Sequence, residues 1–274
     1  MRFLSIALVA ACAEESVPPP FAGLPTPSPI AAELRCDAQR ECGEWGCWVT
    51  LCGASWEMGS PEGVGEADES PRHPVEQPSF RLQETELTLP AWSACVAAGA
   101  CFEYEEDAGL ELCNREVQGD DPEQPINCID WDQAEQVCAF VGGRLPSEAE
   151  WEFAARNRGT DDTYPWGDAE PTPELVVLDW DDGFGSEPVC SLPAGNSEQG
   201  LCDLAGNVLE WTEDWYYGGY YGAPPDGSAW IAQDTDFKVM RGGGTGSGVE
   251  VRGSERVFHE PHFRYPGLGV RCAR

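Results

Sequence analysis

Cysteines are the residues whose type and spacing most directly predict chemistry in this chain. There are 13, and 12 of them follow Cys12: Cys36, Cys42, Cys47, Cys52, Cys95, Cys101, Cys113, Cys128, Cys138, Cys190, Cys202 and Cys272. An even number of cysteines in an exported chain is typical of a disulfide framework. Zinc binding is the alternative, but no Cys-x-x-Cys pair occurs and the chain has only three histidines. We therefore predict disulfides.

Histidines provide the second candidate chemistry. His259 and His262 form a His-x-x-His pair, a spacing that places two metal ligands on one face of a helix. Pro261 lies between them and disfavours a helix. We therefore interpret the pair as part of a solvated surface loop.

The beginning of the chain resembles a bacterial export signal. Residues 1–11 contain one arginine and an apolar run from residue 4 that is too short to span a bilayer. The run ends in Val-Ala-Ala-Cys12, which resembles a lipobox, so we predict cleavage before Cys12 and lipidation of its thiol. An ordinary secretory signal cut near Ala13 is the alternative. The lipobox implies an exported protein anchored in the cell envelope, outside the cytoplasm.

The remaining chain divides by composition. Residues 12–34 contain the lipidated cysteine and six prolines, which favour an extended, flexible tether. Residues 35–52 hold four cysteines and little that could form a core, so a small disulfide-bonded segment is expected. The globular domain is predicted over 48–274, overlapping the end of that segment.

Acidic residues dominate the charge. The chain has 49 acidic and 16 basic residues, for a net charge of −33. This excess argues against nucleic acid as a partner and against electrostatic docking to anionic lipid, so membrane contact is expected through the anchor only. Solubility is the simplest interpretation of the charge, and divalent cation binding is the specific one.

Three helices are predicted to position the motifs. The first covers about 90–98 and stops at Gly99. The second covers 131–141 and is capped by Asp130. The third starts at Ser147, which forms a capping box with Glu150. The remaining sequence predicts short strands and loops, so the expected class is α+β with low regular content.

Six short segments, taken in order, resemble one family, that of the formylglycine-generating enzymes or sulfatase-modifying factors. They are EMGS at 57–60, GGRLPSEAEWEFAAR at 142–156, YPWGD at 164–168, GLCDLAGNVLEW at 200–211, RGG at 241–243 and GVRC at 269–272. The resemblance covers 48–274. It implies a compact, disulfide-braced fold that is distantly related to C-type lectins.

The resemblance also implies a reaction, the oxidation of a substrate cysteine to formylglycine by two cysteines that hold copper(I). Thiolates suit this soft ion. Ser247 occupies the first cysteine position and Arg252 the second, and neither is a soft ligand. Other relatives use iron held by histidines of an additional helical domain, which is not found in this sequence. We therefore expect neither copper nor iron, and no catalytic residue is assigned.

Calcium is the cofactor that the resemblance supports. The matching ligands are the side chains of Asp203 and Glu210 and the carbonyl groups of Gly206 and Val208. Hard oxygen ligands in a turn suit calcium. The alternative is that the two acidic side chains only cap backbone amides.

Two disulfides are predicted. The resemblance implies a bridge between Cys138 and Cys272. Cys190 and Cys202 flank one loop, and we predict that they pair. The sequence leaves the pairing of the other eight cysteines open.

Two classes of function follow. The first is a non-catalytic binding or structural module with a peptide or glycan ligand. Its candidate cleft is lined by Arg241, Gly242, Gly243, Ser247 and Arg252. The alternative is an oxidoreductase of the same family with altered chemistry. The oligomeric state is not predicted.

Overall fold

Short helices and strands carry the fold in the computed structural model, which describes residues 39–102, 113–114, 121–178, 185–232, 234–245 and 250–274. The helices are α1 Leu89–Ala97, α2 Trp131–Phe140 and α3 Glu148–Ala155. The strands are β1 Arg40–Gly43, β2 Gly46–Leu51, β3 Ala54–Met58, β4 His73–Gln77, β5 Phe80–Gln83, β6 Leu209–Trp215, β7 Lys238–Arg241, β8 Val257–His259 and β9 Leu268–Gly269. The predicted α+β class with low regular content is confirmed.

Helix starts follow the capping residues in the sequence. Asp130 accepts a hydrogen bond from the Gln133 amide and caps α2. Ser147 and Glu150 form the capping box of α3. These local contacts satisfy free amides at the helix start, which explains why two of the three starts were predicted to the residue.

Three sheets surround the helices. One has the order β1-β2-β5, a second pairs β3 with β4, and the third has the order β8-β7-β6-β9. All described pairs are antiparallel except β6 with β9. The third sheet matters most for the site, because β6 and β7 both contact α3.

Helix α3 lies inside the molecule, and all eight of its residues are buried. Its Trp151 and Phe153 are fully buried. Three of its residues are glutamates, so partners for these carboxylates must lie in the interior. This requirement shapes the site described below.

The structure describes the cysteine-rich segment from residue 39 onwards. Residues 40–51 form the β1–β2 hairpin, with a bridge between Cys42 and Cys47. Trp48, Val49 and Leu51 are buried and join the core. These three residues belong to the part of the segment that overlaps the predicted globular domain 48–274, and their strand β2 pairs with β5.

Disulfides connect distant parts of the chain. Cys138 is bonded to Cys272, 134 residues away, and Cys190 to Cys202; these are the two pairs expected from the sequence. The structure also bonds Cys95 to Cys101 and Cys113 to Cys128, and Cys52 is disulfide-bonded as well. Cys12, Cys36 and the predicted tether lie outside the described residues. None of the described helices is long and apolar enough to cross a membrane.

Lys238, the one lysine of the sequence, is buried at the start of β7. Its ammonium lies 4.0 Å from the ring centroids of both Trp131 and Trp215. It donates a hydrogen bond of 2.7 Å to the Glu213 carbonyl. Burial outweighs the attraction of nearby carboxylates and lowers its pKa to about 8.

Candidate functional site

The turn after β7 holds the first predicted site residues. Gly242 and Gly243 have φ angles of 100° and 67°, a region that favours glycine. A Cβ atom on Gly243 would lie 2.7 Å from Val251, so the close approach also requires glycine. Ser247 lies outside the described residues.

Arg241 lies directly before this turn and is fully buried. Its guanidinium bonds to Glu148 at 2.8 Å and to Glu152 at 2.9 Å. It also donates to the Tyr220 hydroxyl at 2.9 Å. Glu148 in turn pairs with Arg256 at 2.7 Å. We call Glu148, Glu152, Tyr220, Arg241 and Arg256 the Arg241 cluster; within it, two of the three glutamates of α3 meet cationic partners.

Arg252 occupies the second thiol position implied by the family resemblance, and it is also buried. Two of its nitrogens bond to the two oxygens of Glu69, at 2.7 and 2.8 Å. It also pairs with Glu250 at 2.5 Å and with Glu255. It donates to the Ser254 hydroxyl at 3.0 Å. We call Glu69, Glu250, Arg252, Ser254 and Glu255 the Arg252 cluster.

Glu69 and Glu255 of this cluster have pKa values that are shifted in opposite directions. Burial would raise the pKa of Glu69, but hydrogen bonds from Arg252, the backbone and Ser60 lower it to about 2. For Glu255, burial together with the charges of Glu69 and Glu250 outweighs Arg252 and raises the pKa to about 7. Glu69 is therefore the permanent counterion of Arg252.

The structure describes four of the five residues that were predicted to line the cleft. Arg241, Gly242, Gly243 and Arg252 are all buried. Both arginines are engaged with carboxylates instead of facing a ligand. In this part of the chain, the residues kept from the family's active-site turn contribute to the interior.

The turn predicted to bind calcium lies next to β6. Asp203 accepts a hydrogen bond of 2.7 Å from the Cys190 amide. The Gly206 amide donates to the Gly242 carbonyl at 2.8 Å, which ties the two turns together. Val208 is fully buried. The structure thus brings these residues into one loop beside the β7 turn.

Glu210 fits a calcium ligand poorly, because cationic and N–H donors already engage its carboxylate. Arg271 bonds to one oxygen at 2.8 Å, and the Trp151 indole donates to the other at 2.7 Å. Within the described part of the chain, no group of three or more His, Cys, Asp or Glu residues is arranged to hold a metal ion. Any calcium bound here would therefore depend chiefly on Asp203 and on backbone carbonyls.

Glu86 was not found from the sequence. It is buried beside this turn, where it accepts from the Asn207 amide group at 2.7 Å and from the Val208 backbone amide at 3.1 Å. Burial, and then the charges of Asp203 and Glu210, raise its pKa well above the usual value. It has no motif around it, so only the fold reveals it.

A groove on another part of the domain was also not predicted. It has a volume of about 720 Å³ and is lined by residues near β4 and β5, the start of α3, β6 and the segment 226–231. Gln77, Phe80, Glu213, Asp226 and Ile231 are among its lining residues. We call it the Glu213 groove. Its walls come from distant segments, so no local sequence pattern marks it.

Comparisons with known proteins agree with this fold. Residues 37–274 match the family described as Sulfatase-modifying factor enzyme 1-like domain. The chain is 31% identical over 241 residues to hercynine oxygenase of Mycolicibacterium thermoresistibile, which covers 75% of this chain and 53% of the relative. It is 36% identical over 168 residues to inactive C-alpha-formylglycine-generating enzyme 2 of Bos taurus, covering 55% of this chain and 50% of that protein.

The chain thus spans about half the length of these two curated relatives. Among solved structures, that of PvdO from Pseudomonas aeruginosa superposes with a TM-score of 0.72 and 26% identity, covering 87% of this chain and 97% of PvdO. The fold is therefore of the formylglycine-generating enzyme type, which is C-type-lectin-like. The match over residues 37–274 shows that this chain belongs to the sulfatase-modifying factor family.

Proposed function

We propose that this chain is a non-catalytic member of the family, acting as a binding or structural module outside the cytoplasm. One observation carries the proposal: Arg252 occupies the second thiol position and is saturated by Glu69, Glu250 and Glu255. A guanidinium cannot be deprotonated in a protein and offers no soft ligand to copper(I). What was a catalytic position in the family is here a structural ion pair.

The relatives support both classes of function. The Bos taurus relative is named as inactive, whereas the Mycolicibacterium relative is named as an oxygenase. An oxidoreductase with altered chemistry is therefore the second candidate. It would need a redox metal, so bound metal distinguishes the two.

The first experiment measures copper and oxidation together. The purified chain is loaded with copper(I), incubated under oxygen with a sulfatase-type cysteine peptide, and the peptide is followed by mass spectrometry. We expect no formylglycine and no copper retained against a chelator. A relative named as a formylglycine-generating enzyme serves as the positive control. Multiple turnovers, or stoichiometric copper or iron in the isolated protein, would contradict the proposal.

We also propose that the turn containing Asp203, Gly206, Val208 and Glu210 binds calcium. Burial and then the charges of Asp203 and Glu210 raise the pKa of Glu86, and burial with the charge of Glu210 raises the pKa of Asp203. Such a concentration of carboxylates favours a bound cation. Calcium that binds only the folded state should raise the melting temperature.

Matched variants assign the calcium ligands. Because the Glu210 carboxylate is engaged by Arg271, Asp203→Asn should remove more of the calcium-dependent increase than Glu210→Gln. A melting curve that is identical with calcium and with chelator would refute the site.

Export and anchoring complete the proposal. The lipobox-like segment ending at Cys12 supports a lipid-anchored envelope protein, and the disulfides are consistent with an extracytoplasmic location. We expect Cys12→Ala to release the protein from membranes or to block processing. Mass spectrometry that finds an unmodified N-terminus at Ala13 or beyond would contradict the anchor.

A further inference from the structure

The Glu213 groove has walls that are fixed before any ligand arrives. The Ser147 hydroxyl donates to the Gly227 carbonyl at 2.7 Å. The buried Asp214 carboxylate accepts from the backbone amides of Glu148 and Trp230, both at 2.7 Å. These bonds tie the segment 226–231 to the start of α3, so a ligand would meet a preorganised surface.

The cations that line the groove are already engaged. Arg144 donates two bonds to Glu150, at 2.6 and 2.7 Å. Arg274 donates to the carbonyls of Val141 and Gly142, both at 2.8 Å. Both arginines therefore direct their hydrogen bonds to other groups, and the charge of Arg144 acts on Glu213 only through space.

The groups that remain are hydrogen-bond acceptors. The Glu213 carboxylate has no hydrogen bond or ion pair to the residues that the structure describes. Asp226 is exposed, and bonds from the Ser228 side chain and backbone lower its pKa, so it stays charged. Gln77 is 4% exposed, and its buried Oε1 atom has no partner within the described chain. Unpaired acceptor atoms on Glu213 and Gln77, beside the charged Asp226, point to a donor-rich ligand.

We propose that the Glu213 groove binds an arginine or lysine side chain of an extended peptide from a protein partner. Glu213 and Asp226 provide the charge complement, and the Gln77 carbonyl oxygen can accept an additional N–H donor. Phe80 and Ile231, the latter 66% exposed, can pack against the aliphatic part of such a side chain. The net charge of −33 would speed the encounter with a basic partner. This inference rests on the proposed binding role and names its ligand class.

The test uses matched peptides and the full chain in detergent. The probe is a fluorescent peptide of glycine and serine with two arginines, and its control carries citrulline, which is nearly isosteric with arginine but neutral. Fluorescence anisotropy at physiological salt gives the affinities. We expect the citrulline peptide to bind at least about tenfold more weakly, because charged hydrogen bonds are the stronger ones.

Variants separate the groove from the overall charge. Glu213→Gln and Asp226→Asn should each weaken binding of the arginine peptide by about fivefold to tenfold. Glu198→Gln removes the same charge from an exposed residue that does not line the groove, and it should change the affinity by less than about twofold, since salt screens distant charges. Unchanged melting temperatures show that the variants are folded.

Several outcomes would overturn the inference. The arginine peptide would fail to bind, or the citrulline peptide would bind equally well. Alternatively, both groove variants would bind the arginine peptide as tightly as the wild type. If Glu198→Gln lowered the affinity as much as the groove variants do, the attraction would come from the overall charge. Displacement of the peptide by a neutral oligosaccharide would instead indicate a glycan site. The copper experiment reports on the Arg252 position alone, so failure here is distinguishable from failure of the non-catalytic proposal.

Discussion

The Arg252 cluster and the Glu213 groove both concentrate carboxylates, but they neutralise them differently. In the cluster, Glu69 is fully buried and meets both terminal nitrogens of Arg252. In the groove, Glu213 has no cation bonded to it among the described residues, and Asp226 bonds only to its neighbour Ser228. Both regions belong to the same domain and the same acidic chain.

The difference shows which acidic residues maintain the fold. A carboxylate removed from water needs a cationic or hydrogen-bonding partner or takes up a proton, whereas a partly exposed one keeps part of its hydration. Saturated carboxylates therefore indicate architecture, and unsaturated ones indicate surface available to a ligand. Substitutions in the buried arginine clusters and in the Glu213 groove should therefore affect stability differently.

The largest effect is expected in the Arg241 cluster. Arg241→Met leaves Glu148 and Glu152 buried with fewer cationic partners, and breaking a buried pair in this way costs about 3–5 kcal/mol. Urea unfolding measures the loss. Arg81→Met is the control, because Arg81 pairs with Glu41 in solvent and such pairs contribute about 1 kcal/mol or less. Equal losses would contradict the distinction between buried and exposed pairs.

Arg252→Met should lower the free energy of unfolding by less than Arg241→Met does, and by an amount that depends on pH. Glu69 has a folded pKa of about 2, below its value of about 4.3 in an unfolded chain. Its contribution to stability is therefore full above the unfolded pKa and is lost as pH falls towards 2. The stability gap between wild type and variant should narrow over that range.

Urea unfolding at several pH values measures this gap. Glu255, with a pKa of about 7, is already mostly protonated below pH 5 and adds little to the change. Arg252→Lys keeps the charge but loses the bidentate geometry of the guanidinium. Its free energy of unfolding should therefore lie between those of the wild type and Arg252→Met. A gap that does not vary with pH would mean that Glu69 is not the principal partner.

The smallest effect is expected in the groove. Burial, partly offset by Arg144 and Lys238, raises the pKa of Glu213. A raised carboxyl pKa contributes stability that is present at low pH and lost as pH rises. Glu213→Gln should therefore be neutral or slightly stabilising at pH 7, within about 1 kcal/mol, and any advantage should diminish towards pH 4. If Glu213→Gln clearly destabilised the protein, Glu213 would be a carboxylate that maintains the fold.

Local patterns account for what the sequence predicted well. The capping residues Asp130 and Ser147 gave the starts of α2 and α3, because each cap acts within four residues. The ordered family segments led to the fold class in the same way. Such signals need no knowledge of distant contacts.

The parts that were not predicted depend on contacts between distant residues. Arg252 and Glu69 are 183 residues apart, and Glu86 meets Val208 across 122 residues. A substitution of a catalytic cysteine is visible in the sequence, but the ion pair that replaces it is not. We predicted the cleft from residues that are close together in the chain. The burial of Arg241, in contrast, depends on its contacts with α3.

The position of Lys238 has a practical consequence for chemical labelling. The folded protein hides its single side-chain amine between Trp131 and Trp215, so amine-reactive dyes and cross-linkers have no lysine to modify on the surface. Immobilisation and tagging should use the abundant carboxylates instead. Conversely, acylation of Lys238 requires this aromatic pair to open, so the rate at which Lys238 is modified, followed by peptide mapping, probes local unfolding next to β6 and β7.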